Sequence, residues 1–361
     1  MTASAAILLA AKGQRLAAFT AVPREGYEAS PFFQPGGDEG PLARLTAERY
    51  ANIDHVLIRN RPERMLEDMA SGHRLYHRPV GASYGVTWAN AIRDTARERG
   101  IQVILTGAMG NLGLSEEGFG RLGELAASGH WFELLREHRL LRRSEGLSWR
   151  NLIKASLPQH WVEPLRALTG RDAAVLRSWS PGGDALVKRA PRTIWTRGVR
   201  SARGILADFF LSVDAGEWRG GGVAGWSIDE RDPAANRALL EFCNGIPSEQ
   251  FLRDGQTRAI YRRAFGDRLP AEVLNARIKG RQSADWHEGL TALREEIPAR
   301  LEGLKESPLA CRVLDVARLE RLVEDWKTES DLTARKPEYF HALTTGLMVG
   351  DFIRWAEGRN R

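Results

Sequence analysis

The amino-acid sequence predicts an α/β protein in which a parallel sheet is followed by a mainly helical region. Short apolar runs alternate with helical segments over residues 3–105, which is typical of crossovers that join parallel strands. A glycine-rich turn directly follows the third apolar run. From about Leu122 onward, helical periodicity dominates and few segments have strand character.

The predicted α/β part begins with an alanine- and leucine-rich helix, which Gly13 ends as a C-cap. A buried strand follows and stops at Pro23. Helices and short strands then alternate, and the strands lack the strict apolar–polar alternation of a half-exposed sheet. In order, the predicted elements are helix 3–11, strand 16–22, helix 38–50, strand 55–58, helix 86–99 and strand 102–105.

The second part of the chain has the 3.6-residue periodicity of helices. Residues 216–225 are rich in glycine, and we expect a loop there. The predicted helices of this part are 131–141, 149–156, 158–167, 234–243 and 338–357.

Composition and charge exclude several classes of protein. The 361 residues are 43% hydrophobic and 27% charged, as in globular proteins with one large or two fused lobes. The net charge of +6 comes from basic residues scattered among acidic ones, without the basic stripe expected of a nucleic-acid partner. No apolar run is long enough to cross a membrane. The spacing of Cys243 and Cys311 fits neither a metal site nor a disulfide framework, so we expect a reducing cytoplasm and a buried Cys243.

Three segments carry the functional signal. The turn from Leu105 to Asn111 contains Gly107 and Gly110, and glycines let a backbone approach a phosphate closely; a plain strand-to-helix turn explains the same residues. Asp232 and Pro233 have the chemistry of a helix N-cap.

The third segment runs from Gly255 to Gln282 and contains six arginines and one lysine. Taken alone, Arg258, Arg262 and Arg263 form a solvated basic face, and Lys279 is an exposed loop lysine.

Together these segments resemble the synthetase domain of the asparagine synthase family, which has an ATP-pyrophosphatase type of α/β fold. The glycine turn is similar to the second nucleotide-site motif of that family, and residues 255–282 are similar to a block that ends in a catalytic lysine. Residues 19–26 resemble the family's second strand and the loop after it. The resemblance implies that Lys279 is catalytic, that Asp232 and Arg258 support the site, and that the region of ATP, pyrophosphate or the substrate carboxylate includes Thr20, Gly107, Gly110 and Asn111. It implies no protein-bound metal site.

Within this family, the chain most resembles the lasso-peptide cyclase branch. Ala108 and Asn111 stand where glutamate and aspartate are usual in asparagine synthesis, whereas a Gly-x-x-Gly-Asn turn followed by Ser115 is similar to the cyclases. Residues 283–286, Ser-Ala-Asp-Trp, complete a pattern that is typical of this branch.

The resemblance implies an ATP- and Mg²⁺-dependent ligase that activates a carboxylate as acyl-AMP and joins it to an amine. The implied substrate is a precursor peptide that becomes a macrolactam, or a small amino acid, and separate leader-peptide-binding and protease proteins are the implied partners. Two alternatives stay open: a glutamine-hydrolysing asparagine synthase homologue, and a non-catalytic remnant that only binds a peptide.

The resemblance also predicts how the chain is divided. Residues 1–120 would form the nucleotide-binding lobe, without the family's first strand and its Ser-Gly-Gly-x-Asp-Ser ATP loop, so we expect an N-terminally shortened chain. Residues 121–361 would form a mainly helical lobe of the same synthetase domain. No glutaminase domain and no N-terminal nucleophilic cysteine are recognised.

Overall fold

The computed structural model of the chain describes residues 1–28, 38–79, 83–157, 215–276, 284–326 and 337–359. The elements of its first part confirm the predicted alternation of helices and strands. They are α1 (Thr2–Ala10), β1 (Leu16–Val22), α2 (Gly40–Glu48), β2 (Ile53–Arg59), α3 (Met65–Tyr76), α4 (Ser83–Glu98) and β3 (Val103–Leu105).

Helices dominate the rest of the described chain, as the sequence predicts. The first of them are α5 (Gly120–Ala127), α6 (Trp131–Glu145) and α7 (Trp149–Ser156). After the gap come α8 (Ala215–Trp226), β4 (Asp229–Arg231), α9 (Arg237–Gly245), α10 (Ala259–Ala264), α11 (Ala271–Leu274), α12 (Trp286–Ala292), α13 (Ile297–Lys305), α14 (Pro308–Val313), α15 (Val316–Glu324) and α16 (Thr344–Ala356). The helix predicted at 158–167 lies outside the described residues.

The strands form two parallel pairs. β1 pairs with β2 in a register that runs from Leu16 opposite Ile53 to Val22 opposite Arg59. β3 pairs with β4, although more than a hundred residues separate them in the sequence. Phe19 of β1 and Ile104 of β3 pack against the same buried cluster as Trp226 of α8, so both pairs lie over one apolar layer. The fold is therefore α/β, with a small parallel sheet region and many helices.

The expected loop at 216–225 is wrong, because these residues belong to helix α8. Its glycines allow close packing on α3. A Cβ on Gly221 would lie 2.1 Å from the ring of Tyr76, and one on Gly225 would lie 3.1 Å from Leu75. Tertiary contact thus outweighs the low helix propensity of glycine.

The largest hydrophobic core lies among the C-terminal helices and α3. It joins Met65, Leu66 and Met69 of α3 to apolar residues of the helices α12 to α16. A second core joins α5, α6 and α7. The last predicted helix is divided in the structure, since a π-helical segment, Pro337–Leu343, precedes α16. No helix in the described part of the chain is both long and apolar enough to cross a membrane.

Candidate functional site

Asp232 links the glycine-rich turn after β3 to the short helical turn that directly follows Asp232 in the sequence. One of its carboxylate oxygens accepts a hydrogen bond from the backbone N–H of Met109 at 2.8 Å. The other accepts the N–H of Ala234 at 2.8 Å, which confirms the predicted cap. The backbone N–H of Thr106 also donates to the carbonyl of Arg231 at 2.8 Å. Hydrogen bonds to the end of β4 and to Asp232 directly after it therefore hold the turn that follows β3.

The outer face of this turn is open at its two glycines. Neither Gly107 nor Gly110 has a left-handed backbone. Among the described atoms, a Cβ on Gly107 would contact only the methyl of Met1, at 3.6 Å, and one on Gly110 only the hydroxyl of Ser115, at 3.4 Å. The turn does not need glycine for its own conformation, so the missing side chains chiefly leave its backbone accessible. Beside it, Asn111 accepts a hydrogen bond from Ser115 at 3.3 Å.

The N-terminus of α1 lies against the same turn, because Met1 is the neighbour of Gly107. Within the part of the chain that the structure describes, no side chain caps α1 at this end. Arg268 brings a guanidinium to its first turn, where Nη1 lies 3.5 Å from the hydroxyl of Ser4. The uncapped N–H groups and the guanidinium make this edge electropositive, which favours a phosphate or carboxylate.

Arg258 is linked to the segment that leaves the glycine turn. Its guanidinium lies 3.2 Å from the carboxylate of Glu117. Arg258 has a φ of 54°, which is uncommon for a residue other than glycine. Burial raises the pKa of the neighbouring Glu116, although its carboxylate accepts the N–H of Gly118 at 2.9 Å. The sequence analysis did not single out Glu116 or Glu117; two acidic residues directly after a glycine turn are the signal that could have done so.

Gly255 fixes the start of the segment that leads toward Lys279. Its φ is +73°, and a Cβ there would lie 2.4 Å from the Cβ of Leu140. Its N–H donates to the buried carboxylate of Glu137 at 2.8 Å. Glycine is therefore required at this position by both backbone conformation and space.

The same segment lines an open polar cavity of about 660 Å³. Its cationic lining residues are Arg253, Arg262 and Arg263. Arg262 also donates to the carbonyl of Leu274 and to the side chain of Asn275, so it fixes the chain just before residues 277–283. Lys279 lies in those residues, outside the described part of the structure.

The segment after Lys279 is anchored at the carboxyl ends of β1 and β2 by Asp285, which is fully buried. Its carboxylate accepts the backbone N–H of Arg24 and the side-chain amide of Asn60, both at 2.8 Å. Thr87 of α4 donates in turn to the side-chain oxygen of Asn60 at 2.8 Å. The ends of two strands, helix α4 and the start of α12 thus share one buried polar network.

Asn60, Thr87 and Arg24 were missed as positioning residues in the sequence. No local sequence pattern around an asparagine or a threonine predicts such a hydrogen-bond network. Their only signal is position, since Asn60 and Arg24 each follow a predicted parallel strand.

Thr20 lies within β1 rather than in the glycine turn. Its hydroxyl is 2.9 Å from Nε2 of His55 on β2. Burial, followed by the charge of Arg44, lowers the pKa of His55. Of the predicted site residues, Gly107, Gly110, Asn111 and Asp232 therefore lie together, Arg258 joins them through Glu117, and Thr20 belongs to the sheet beside them. Among the described residues, no three histidine, cysteine, aspartate or glutamate side chains are arranged to hold a metal ion.

Comparison with known proteins assigns the family. The sequence matches the asparagine synthase family over residues 3–349, which include both strand pairs, the glycine turn and the Asp285 network. No curated protein and no solved structure matches the chain. Since the match extends over nearly the whole sequence, this chain belongs to the asparagine synthase family.

Proposed function

We propose that this protein is an ATP-dependent amide ligase that activates a carboxylate as an acyl-adenylate and joins it to an amine. One observation carries the proposal. Within a family match that spans residues 3–349, the open glycine turn, the uncapped N-terminus of α1 and Asp232 meet at the carboxyl end of β3. Ligands of open parallel α/β sheets bind at this edge.

The residues at this edge fit a nucleotide phosphate. Helix N-terminal N–H groups bind anions, and the exposed backbone at Gly107 allows close approach. Arg268 adds a cation at the first turn of α1. ATP would bring Mg²⁺ with it, because Mg²⁺ is commonly held by substrate phosphates and only one or two carboxylates.

Lys279 is the proposed catalytic residue. The carboxylate of the substrate attacks the α-phosphorus of ATP, and pyrophosphate leaves. The amine then attacks the acyl carbon, loses a proton, and AMP departs with the former carboxylate oxygen. A lysine near the α-phosphate stabilises the negative charge that develops in both steps. Lys279 is six residues before Asp285, whose anchoring at the ends of β1 and β2 supports this role.

The finer proposal is that the acid and the amine belong to one precursor peptide and that the product is a macrolactam. Ala108 and Asn111 replace the acidic residues usual in asparagine synthesis, which supports this choice. The cavity of about 660 Å³ lined from Arg253 to Asn275 is large enough to hold part of a peptide. Separate leader-binding and protease proteins, and a cytoplasmic location, belong to the same proposal.

We further propose an ATP-pyrophosphatase type of sheet, with another strand between β1 and β3. Among the described strands, β1 pairs only with β2 and β3 only with β4, while Phe19 and Ile104 share one apolar cluster. A strand between them would join the pairs into one parallel sheet, to which residues 1–120 contribute β1 to β3 and Asp229–Arg231 contributes β4. In the family, the ATP loop follows such a strand. An intact mass of the native protein above 40.2 kDa would support a strand upstream of Met1, and a mass equal to it would contradict this part.

The proposed activity is tested by incubating the protein with ATP, Mg²⁺ and peptides that carry a free N-terminus and an internal aspartate or glutamate. We expect AMP and pyrophosphate in equal amounts, together with a peptide lighter by one water. Aspartate with ammonia or glutamine serves as the comparison. Asparagine formation would favour the asparagine synthase alternative, and peptide binding without AMP would favour the non-catalytic one.

A further inference from the structure

A second pocket lies between three helices, away from the glycine turn. Its walls come from α3, α13 and α16, and its volume is about 360 Å³. No residue that lines it takes part in the proposed ligase site. Pockets of this size between packed helices are common places for small ligands.

The most telling group in this pocket is His73, a pocket-lining residue that is only 1% exposed. Neither of its ring nitrogens makes a hydrogen bond with good geometry to a described residue. The backbone carbonyl of Arg78 and the carboxylate of Asp351 are near enough to favour the protonated ring, but burial has the larger effect and lowers the pKa of His73. Buried polar side chains are usually hydrogen-bonded, so the ring of His73 keeps hydrogen-bonding capacity for a ligand in the pocket.

Arg354 resembles His73, because it also has a buried side-chain nitrogen that lacks a hydrogen-bond partner within the described part of the chain. Its Nε is buried without a hydrogen-bond partner among the described residues, and its Nη2 is 3.4 Å from Glu306. Gly303 of α13 makes room for this guanidinium, because a Cβ there would lie 1.9 Å from Nη1 of Arg354. The guanidinium therefore fits against the backbone of α13 at the pocket wall.

The charges of the pocket favour an anion with more than one negative charge. Arg74, Arg300 and Arg354 line it together with one acid, Asp351. Asp351 is already paired with Arg300 at 2.7 Å. Glu306, the ion-pair partner of Arg354, is not a lining residue, so the lining itself has more arginines than acids. Arginine binds phosphate through paired hydrogen bonds.

We propose that the pocket between α3, α13 and α16 binds a small phosphate-bearing molecule, with Arg354, Arg74 and His73 as donors. This site goes beyond the proposed ligase function and uses none of its residues. Failure of either proposal therefore leaves the other untouched.

The first test measures binding of inorganic phosphate, sulfate and acetate by calorimetry at matched ionic strength. We expect saturable binding of phosphate and sulfate, and acetate binding at least about tenfold weaker because its single charge leaves the pocket positive. Acetate binding as tight as phosphate binding, or no saturable phosphate binding, overturns the proposal.

Variants connect the binding to this pocket. Arg354→Met should weaken phosphate binding by about tenfold or more, since it removes a charge-assisted donor. Gly303→Ala should weaken it too, because the new Cβ displaces Arg354 without changing a lining residue. Arg237→Met is the matched control, because the Arg237 side chain is 91% exposed on α9. Wild-type affinity in both pocket variants overturns the proposal.

A final experiment uses the pH dependence of sulfate binding, since sulfate keeps its charge near neutral pH. The charged groups that face His73 are Arg74 and Arg78 from α3 and its end, Arg300 from α13, and Asp351 and Arg354 from α16. Bound sulfate favours the protonated ring, so its affinity should fall as the pH rises from the lowered pKa of free His73, below the ordinary value of about 6.5, to the higher pKa of His73 in the sulfate complex. His73→Phe should remove this dependence. A pH-independent affinity in the wild-type protein overturns the assignment of His73 as a donor.

Discussion

The amide of Asn60 donates to the buried carboxylate of Asp285 at 2.8 Å, and so joins the end of β2 to a segment more than two hundred residues later in the chain. This segment directly follows the one that contains Lys279. The same carboxylate accepts the backbone N–H of Arg24 at the end of β1. The ends of two parallel strands and the start of α12 are therefore held together by one side chain.

Asp285→Ala should destabilise the protein by about 2–4 kcal/mol, because one buried and one partly buried donor lose their acceptor. Urea unfolding measures the change. Asp267→Ala is the control, since the Asp267 side chain is 75% exposed and its ion pair with Arg268 lies at the surface. Equal stability of the two variants would show that the Asp285 network does not hold the strand ends.

Asp232→Ala should reduce AMP formation more than its effect on stability explains. It removes the acceptors of Met109 and Ala234, at a cost of about 1–2 kcal/mol, and frees the glycine turn. Asn236→Ala is the matched control, because Asn236 also caps a nearby helix, α9, by accepting a hydrogen bond from the N–H of Leu239. The same loss of activity in both variants would mean that the turn is not specifically involved.

Gly221→Ala should cost about 1–3 kcal/mol, because its Cβ would overlap the ring of Tyr76 at 2.1 Å. Gly220→Ala is an adjacent control in the same helix, since nothing described lies within 4 Å of its Cβ. Gly220→Ala should leave the stability of α8 unchanged or raise it by up to about 1 kcal/mol. Comparison of the two melting temperatures tests the close packing of α8 on α3, and an equal effect would contradict it.

His138 should make the protein less stable in mild acid. Burial lowers its pKa, and its Nε2 is 2.7 Å from the hydroxyl of Ser156, which itself donates to the carbonyl of Leu152. The unfolded chain therefore binds a proton at a higher pH than the folded one. This contribution is complete above the unfolded pKa of about 6.5 and is lost as the pH falls through the folded value.

The stability of His138→Gln should consequently depend less on pH between about 5 and 7 than that of the wild-type protein. Glutamine can still donate to Ser156. Free energies of unfolding at several pH values measure the difference. If the free energies of unfolding of both proteins change equally with pH, the acid sensitivity lies elsewhere in the protein.

Lys279→Ala should lower the rate of amide formation by about a hundredfold or more, while peptide binding is kept, since the lysine acts on charge that develops in the transition state. Single-turnover kinetics and peptide titration separate the two effects. Lys154→Ala, an exposed residue of helix α7, provides the control. Unchanged turnover in Lys279→Ala would contradict the catalytic role of this residue.

The first three strands were predictable because each is a short apolar run with clear stops, such as Pro23 after β1. The cap at Asp232 was predictable for a similar reason, as its chemistry is local and Pro233 follows it. Within the candidate site, Gly107 and Gly110 were found because glycines after a strand form a visible pattern. Their connection to Asp232 came from the resemblance and not from spacing.

β4 could not be predicted, since Asp229–Arg231 is a short, charged strand that exists because β3 lies beside it. Helix α8 was missed because its five glycines indicate a loop until Tyr76 is known to pack against them. The Asn60–Asp285 contact has the same origin, because long-range hydrogen bonds between polar residues have no sequence period. Local patterns thus gave the strands and the cap, and tertiary contacts decided the rest.

The central claim is tested most directly with a substrate whose carboxylate carries heavy oxygen. After turnover with ATP, the account predicts one labelled oxygen in the phosphate of AMP, together with an amide product, because the acyl-adenylate transfers that oxygen when the amine attacks. Amide formation with unlabelled AMP, or with ADP and labelled inorganic phosphate, would contradict activation through an acyl-adenylate.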